Sequence, residues 1–312
     1  MEHGETLMPR TRHAQTLAHP VTVQGHGLHG NHPCTVVLRP ALHGTGIVFR
    51  HLPSGVEIPA RAEFVGDCSL ATTLVRDGIR LQTVEHLLSA LMGLEVDHLT
   101  VEVSGEELPI LDGSAAPWVR AIQDAGLRTM PAWNRFMRIL RPIELDLGDK
   151  WMRVSPYNGL RIAYTIDFDH PAIGRQSREL TLTPEKYIRE LGRARTFCME
   201  RDIEFMRSRG LAKGGSLENA VVFSPTGPLN DSLRFEDEAV RHKILDLVGD
   251  LKLLGAPLAG FVEAHRAGHA LHVDLARAIL ATPGAWRWEE GTTAPARPVF
   301  GHGLSAPQPI PA

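Results

Sequence analysis

Two short clusters of potential metal ligands lie far apart in this chain. Glu85 and His86 are adjacent, whereas His242 and Asp246 stand four residues apart in a segment with the pattern of a helix. Side chains four apart in a helix lie on one face about one turn from each other, so both can reach one metal ion. His86 would add a third ligand and leave a position for water, as in catalytic zinc sites. The clusters together predict metal-assisted hydrolysis.

Each cluster alone also has an ordinary explanation. A single His and Asp four apart are most often a solvated pair on a helix surface. An acidic residue in the first turn of a helix, such as Glu85, is favoured by the helix dipole. However, Asp250 continues the spacing of His242 and Asp246, and this stripe adjoins the apolar Leu245. We therefore expect the stripe to face the interior or a cleft, where charges need partners or a metal.

Two further positions can carry chemistry, although each has an equally simple structural explanation. His269 follows an apolar segment with the pattern of a buried strand, and loops at strand ends often display catalytic side chains. Thr196 and Phe197 precede a helical segment, where a threonine is most often an N-cap. The glycine-rich segments 25–30 and 213–216 match neither a Walker loop nor a dinucleotide-binding motif, so we predict no nucleotide hydrolysis and no Rossmann cofactor.

The elements that must position these residues show a faint internal repeat. A helix predicted over 83–92 is followed by Gly93 and a strand over 98–103. A helix predicted over 236–254 is followed in the same way by Gly255 and a strand over 258–264. Two similar halves facing each other would bring both clusters to one interface. The prediction is an α+β fold of two related domains, each a sheet packed with helices, with the active site at the domain interface.

The predicted division of the chain follows composition as well as pattern. We assign residues 14–134 to the first α+β domain and residues 135–290 to the second. Residues 1–13 form a polar N-terminal extension that is expected to be disordered. Residues 291–312 are rich in Pro, Gly and Ala and lack periodic apolar residues, so a flexible tail is expected there.

Composition limits the partners and the compartment. The 312 residues are 43% hydrophobic and 22% charged with a net charge of −3, which indicates neither a nucleic-acid nor a membrane surface. There is no secretory signal and no apolar run of about 18 residues, so we expect no membrane insertion. The three scattered cysteines, Cys34, Cys68 and Cys198, form no metal pair, and with the missing signal they favour the cytoplasm.

Several long motifs, in order, resemble the family of UDP-3-O-acyl-N-acetylglucosamine deacetylases, the zinc amidases of lipid A biosynthesis. The matching stretch runs from about residue 17 to residue 289. The motifs are GHGLHG at 25–30, TVEHLLSAL at 83–91, ELPILDGSAAP at 107–117, YNGLRIAYTIDFDHPAI at 157–173, ARTF at 194–197, RDIEFMRSRGLAKGGS at 201–216, LRFEDEAVRHKILDLVGDL at 233–251 and AGHAL at 267–271. The resemblance implies the two-domain α+β fold proposed above.

The resemblance also implies a role for individual residues in the committed step of lipid A biosynthesis, the removal of the substrate's N-acetyl group as acetate. His86, His242 and Asp246 would hold zinc and Glu85 would act as the general base. The other implied catalytic residues are His269 as acid or electrostatic partner, Asp250 as the residue that orients it, and Thr196 as a hydroxyl holding the oxyanion. The implied substrate contacts are Lys243 near the diphosphate, Asp167 and Phe168 at the uracil, and Lys150 and Arg266 near the nucleotide. Phe197 is also expected to contact the substrate. The apolar residues Ile203, Phe205, Met206 and Leu211 are expected to line a passage for the acyl chain, with an ordinary helix core face as the alternative.

Some points remain open on the sequence alone. Zinc and iron(II) both suit a His, His, Asp ligand set, so the metal is an inference. Cys198 and Glu200 depart from the family pattern beside the acyl passage, which leaves the preferred acyl length undetermined. The alternatives are a related zinc amidohydrolase for another acylated amino sugar, an inactive UDP-sugar sensor, and a metal-free structural domain. A monomer that binds a small molecule is expected.

Overall fold

A computed structural model describes residues 12–290 and confirms the α+β class. The helices alternate irregularly with nineteen strands in this part of the chain. The helices are α1 Glu85–Gly93, α2 Ala116–Ala125, α3 Pro184–Lys186, α4 Glu200–Ser208, α5 Glu238–Leu251 and α6 His269–Ala281. Helix α3 continues into a π-helical turn, Tyr187–Leu191, and 3₁₀ turns cover Ala62–Phe64 and Lys252–Leu254. Within residues 12–290, no helix is both long and apolar enough to cross a membrane.

The first half of the chain contains nine strands, five of which form one sheet. The strands here are β1 His13–Leu17, β2 Val21–His26, β3 Pro33–Pro40, β4 Ile47–His51, β5 Glu57–Pro59, β6 Leu74–Arg76, β7 Ile79–Leu81, β8 Leu99–Val103 and β9 Leu127–Trp133. The sheet has the order β2-β3-β8-β4-β5, and β4 and β8 are its parallel pair. Alternate residues of β3 and β8 are buried, as expected for a sheet with one face on the core.

The second half contains ten strands, seven of which form one sheet around a long central strand. The strands here are β10 Arg135–Ile139, β11 Ile143–Asp146, β12 Trp151–Ser155, β13 Leu160–Asp167, β14 Arg175–Thr181, β15 Phe197–Met199, β16 Val221–Ser224, β17 Gly227–Pro228, β18 Leu258–His265 and β19 Trp286–Glu290. Strand β18 pairs with β10, β12 and β13. Strands β15, β16 and β17 form a separate small sheet beside α4.

A close crossing of α1 and α5 joins the two halves. Gly249 allows it, because a Cβ atom built there would lie only 2.2 Å from the carbonyl oxygen of Glu85. The Ser89 hydroxyl donates a hydrogen bond to the Leu245 carbonyl across the same crossing, at 2.7 Å. All residues of α1 are buried. The helix that begins with Glu85 and His86 is therefore held against the helix that carries His242.

The structure corrects three of the expectations. The predicted disordered extension over 1–13 is wrong at its end, because His13 begins β1 and Arg12 pairs with the buried Asp97 at 2.5 Å. Residues 1–11 and the predicted flexible tail 291–312 lie outside the described residues. The helix predicted over 83–92 begins only at Glu85. The helix predicted over 236–254 is α5 followed by a 3₁₀ turn. The domain division at residue 134 stays a prediction.

Candidate active site

The crossing of α1 and α5 brings the two sequence clusters together. The Nε2 atoms of His86 and His242 lie 3.8 and 3.2 Å from Oδ1 of Asp246. One ligand atom from each of the three side chains falls within 4.8 Å of the others, and all three residues are buried. The helical spacing of His242 and Asp246 and the helix crossing together produce a group that can hold a metal ion.

The chemistry of this group fits a divalent cation. Oδ1 of Asp246 is buried and has no hydrogen-bond partner in the described part of the chain, which costs free energy unless a cation takes that place. Nδ1 of His242 lies 3.0 Å from the Ala194 carbonyl oxygen, so it carries the proton and leaves Nε2 free to bind a metal. Burial lowers the pKa of His86 to about 3, so its imidazole is neutral and able to coordinate.

Asp246 supplies the negative charge of the group. Burial disfavours its carboxylate, but His242, Lys243, His269 and His86 together outweigh burial and hold the pKa of Asp246 well below its usual range. The Lys243 ammonium donates a hydrogen bond to Oδ2 at 2.9 Å, which leaves Oδ1 as the free oxygen. The ligand set therefore offers two neutral imidazoles and one carboxylate.

Glu85 stands beside this group at the first position of α1. The chain enters the helix through Thr83, whose φ of 59° is unusual for a β-branched residue and indicates local strain. The Thr72 amide donates a hydrogen bond to Oε2 of Glu85 at 3.0 Å. Burial raises the pKa of Glu85 to about 7, so this carboxyl group can exchange a proton near neutral pH.

His269 and Asp250 form an ion pair next to the candidate metal ligand Asp246. Nδ1 of His269 lies 2.8 Å from Oδ2 of Asp250, and its Nε2 lies 3.9 Å from Oδ2 of Asp246. Burial lowers the pKa of His269, but the carboxylates of Asp250 and Asp246 outweigh burial and raise it to about 9. His269 is thus a cation at neutral pH that lies close to the candidate metal ligand Asp246.

A polar cleft of about 540 Å³ opens onto these residues. Besides the metal group, Glu85 and His269, it is lined by the three predicted basic residues Lys150, Lys243 and Arg266 and by Thr196. The backbone of Arg266 has a positive φ of 50°. Its guanidinium lies 3.8 Å from the Asp149 carboxylate. The structure therefore gathers cations from the second half of the chain around one polar cavity.

An apolar groove of about 830 Å³ adjoins the cleft. Phe168 and Phe197 line it with their ring centroids 5.5 Å apart, and Thr196, Phe197 and Lys243 line both cavities. The groove continues along α4, a helix without a buried residue. The predicted apolar residues of this segment line it: Ile203, Phe205, Met206 and Leu211. Helix α4 thus places its apolar residues along the groove instead of in a core.

The structure differs from the sequence predictions at three places in the site. Asp167 ends β13 with an exposed side chain whose carboxylate lies 3.9 Å from Arg175, outside the lining of both cavities. His269 is the first residue of α6, with Gly268 as its N-cap, so a helix fixes it and not a loop. Phe197 likewise begins β15, and Met199 is the N-cap residue of α4.

Sequence reasoning missed three residues of the site. The Thr72 hydroxyl donates to Oδ1 of Asp250 at 2.6 Å, and no sequence pattern distinguishes Thr72 from its neighbours. His272 also contacts Asp250, and its position three residues after His269 on one helix was a usable signal. His29 lines both cavities, and its buried Nε2 has no hydrogen-bond partner among the described residues. It belongs to the GHGLHG motif.

Comparisons with known proteins agree along nearly all of the residues that the structure describes. The sequence profile of the UDP-3-O-acyl N-acetylglycosamine deacetylase family matches residues 14–281. Proteins named UDP-3-O-acyl-N-acetylglucosamine deacetylase are similar to the chain. The one from Anaeromyxobacter dehalogenans is 47% identical over 274 residues, which cover 88% of this chain and 89% of the relative. The one from Pseudomonas entomophila is 46% identical over 289 residues, which cover 90% and 95%.

Proposed function

The chain belongs to the UDP-3-O-acyl N-acetylglycosamine deacetylase family and is a deacetylase that hydrolyses an amide, and from this premise we propose its substrate, metal and catalytic residues. The proposed reaction is hydrolysis of the N-acetyl group of UDP-3-O-(3-hydroxyacyl)-N-acetylglucosamine in lipid A biosynthesis. The products are acetate and the free 2-amino sugar. One observation carries this proposal: a buried His, His, Asp group, with an oxygen that has no hydrogen-bond partner among the described residues, lines a polar cleft that adjoins an apolar groove.

We propose that the cation is zinc, held by His86, His242 and Asp246. Two imidazoles and one carboxylate are a common catalytic zinc set, although iron(II) accepts the same ligands. When bound, such a cation supplies a Lewis acid that lowers the pKa of water from about 16 toward about 7. Lys243, which holds the other oxygen of Asp246, would orient that carboxylate for the cation.

The proton transfers fall to two residues with shifted pKa values. Glu85 has a pKa near 7, so it can accept a proton from the water that attacks the acetyl carbonyl carbon. His269, protonated below about pH 9, can donate a proton to the departing amine nitrogen or stabilise negative charge in the transition state. Asp250 keeps His269 charged and oriented. The Thr196 hydroxyl, at the junction of the cavities, would donate a hydrogen bond to the oxyanion.

The cavities suit the three parts of the proposed substrate. Lys150, Lys243 and Arg266 supply positive charge in the cleft for a diphosphate. Phe168 offers an aromatic face for uracil, and Asp167, the last residue of β13, would need to turn inward to reach it. The apolar groove along Phe197 and Ile203 has room for an acyl chain.

Metal depletion tests the function directly. We expect the purified protein to release acetate from the UDP-linked acylated sugar, to lose this activity with a chelator, and to regain it with about one zinc ion per chain. N-Acetylglucosamine alone should be a poor substrate, because it lacks the parts that the cleft and groove bind. Turnover that persists in protein shown by analysis to be metal-free would contradict the mechanism. Bound zinc without turnover would favour the sensor or a related amidohydrolase.

The pH dependence of kcat/KM should be bell-shaped. Glu85 must be ionised to accept a proton, so activity should rise as pH increases through about 7, or somewhat lower because a bound cation favours the carboxylate. His269 must be protonated, so activity should fall as pH increases through about 9. Initial rates between pH 5 and 10 measure both limbs. In His269→Gln the alkaline limb should disappear, and an unchanged limb would show that another group causes it.

We also propose a monomer acting in the cytoplasm, because the three free cysteines favour a reducing compartment. Cell fractionation and sedimentation of the purified protein measure these two properties. A stable dimer would change only this part of the proposal, because every proposed site residue comes from one chain.

A further inference from the structure

We propose that His272, supported by Tyr164, is a positioning residue that holds the Asp250 carboxylate toward His269. The inference rests on the proposed function, in which His269 must be charged and correctly oriented. His272 lies three residues after His269 in α6 and is fully buried. It does not line the polar cleft, so it can act on the reaction only through its neighbours.

Asp250 is held through both of its oxygens. Oδ2 accepts hydrogen bonds from Nδ1 of His269 and from Nδ1 of His272, each at 2.8 Å. Oδ1 accepts one from the Thr72 hydroxyl at 2.6 Å. A carboxylate bound at one oxygen alone can rotate about its Cβ–Cγ bond. Here the hydrogen bonds from Thr72 and His272 fix the plane of the carboxylate, so that Oδ2 stays directed toward Nδ1 of His269.

Tyr164 fixes His272 in turn. Its hydroxyl lies 2.9 Å from Nε2 of His272 and 2.9 Å from the carbonyl oxygen of Ala267, two residues before His269. Tyr164 is buried in β13, which pairs along the central strand β18. The support therefore runs from a rigid sheet, through two buried side chains, to the pair that carries the proton.

The same cluster also meets the geometric requirement for a second metal group, since ligand atoms of Asp250, His269 and His272 lie within 4.8 Å of one another. The hydrogen bonds argue against that use. Oδ2 of Asp250 already accepts hydrogen bonds from both Nδ1 atoms, whereas Oδ1 of Asp246 has no hydrogen-bond partner within residues 12–290. The contrast favours a metal at Asp246 and a hydrogen-bonded positioning network at Asp250.

Two substitutions at one position separate the hydrogen bond from the packing. The amide nitrogen of asparagine is two bonds from Cβ, as Nδ1 of histidine is, so His272→Asn can still donate to Asp250. His272→Leu fills the buried space without a donor. We expect His272→Leu to lower kcat about 10- to 100-fold with KM within about twofold, and His272→Asn to recover kcat to within about threefold of the parent. Tyr164→Phe should lower kcat less than His272→Leu does.

The variants are compared at equal zinc content and after matching thermal melting curves. Equal kcat in parent and His272→Leu would overturn the proposal, and so would equal losses in the leucine and asparagine variants. If His272→Leu does not fold, the asparagine and Tyr164→Phe variants decide, because an unchanged kcat in Tyr164→Phe together with a large loss in His272→Asn contradicts the proposed chain of support.

A spectroscopic readout separates this proposal from the proposed function. A buried imidazole N–H bound to a carboxylate gives a low-field proton resonance, so His269 in the parent should show one. We expect it to persist in His272→Asn and to shift or broaden in His272→Leu. An unshifted, sharp resonance in His272→Leu would overturn the positioning role. Absence of turnover in the parent would instead reject the proposed function, and the resonance would still decide the role of His272.

Discussion

Glu85→Gln is expected to keep the metal and to lose 10²- to 10⁴-fold in kcat, the usual contribution of a general base. Glutamine has the size of glutamate, and its amide oxygen can still accept the hydrogen bond that the Thr72 amide donates to Glu85. It cannot take up a proton. The candidate metal ligands His86, His242 and Asp246 are unchanged, so metal analysis should give the parental content while acetate release falls.

Glu63→Gln is a matched control for this substitution, because Glu63 is an exposed glutamate in the 3₁₀ turn Ala62–Phe64. It should retain parental kcat and KM. A Glu85→Gln enzyme with a near-parental rate would show that another group accepts the proton. Loss of metal in this variant would instead mean that Glu85 helps to hold the cation, and the drop in rate could then not be assigned to proton transfer.

His242→Ala is expected to lose both the metal and the activity. His242 is one of three candidate ligands, and its Nε2 lies 3.2 Å from Oδ1 of Asp246. A Lewis acid that lowers a barrier by roughly 4 kcal/mol accounts for about a 10³-fold change in rate. We therefore expect kcat to fall at least about 10³-fold and bound zinc to drop well below one ion per chain in dialysed protein.

His19→Ala is the control, because His19 is an exposed histidine outside both cavities. It should keep zinc and activity, and circular dichroism should show that both variants are folded. Full zinc occupancy in folded His242→Ala would contradict the proposed ligand set. Adding excess zinc offers a further check, since partial rescue of a weakened site would still agree with His242 as a ligand.

The sequence predicted those parts of the site that depend on local geometry. The four-residue spacing of His242, Asp246 and Asp250 places them on one helix face whatever surrounds the helix, because backbone hydrogen bonds fix 3.6 residues per turn. The α+β class and the central strand Leu258–His265 follow from the same kind of local pattern. The family resemblance then supplied roles that spacing alone left open, such as that of Thr196.

Only the tertiary structure decided which residues meet. His86 reaches His242 because Gly249 allows α1 and α5 to approach closely at Glu85. No local sequence pattern predicts this approach. Thr72 and Tyr164 join the Asp250 network from a loop and from a strand more than 80 residues away in sequence. Long-range contacts depend on how whole elements pack, whereas spacing within one helix depends on neighbouring backbone bonds. The sequence by itself therefore determined the chemical groups available, and packing determined which of them form one site.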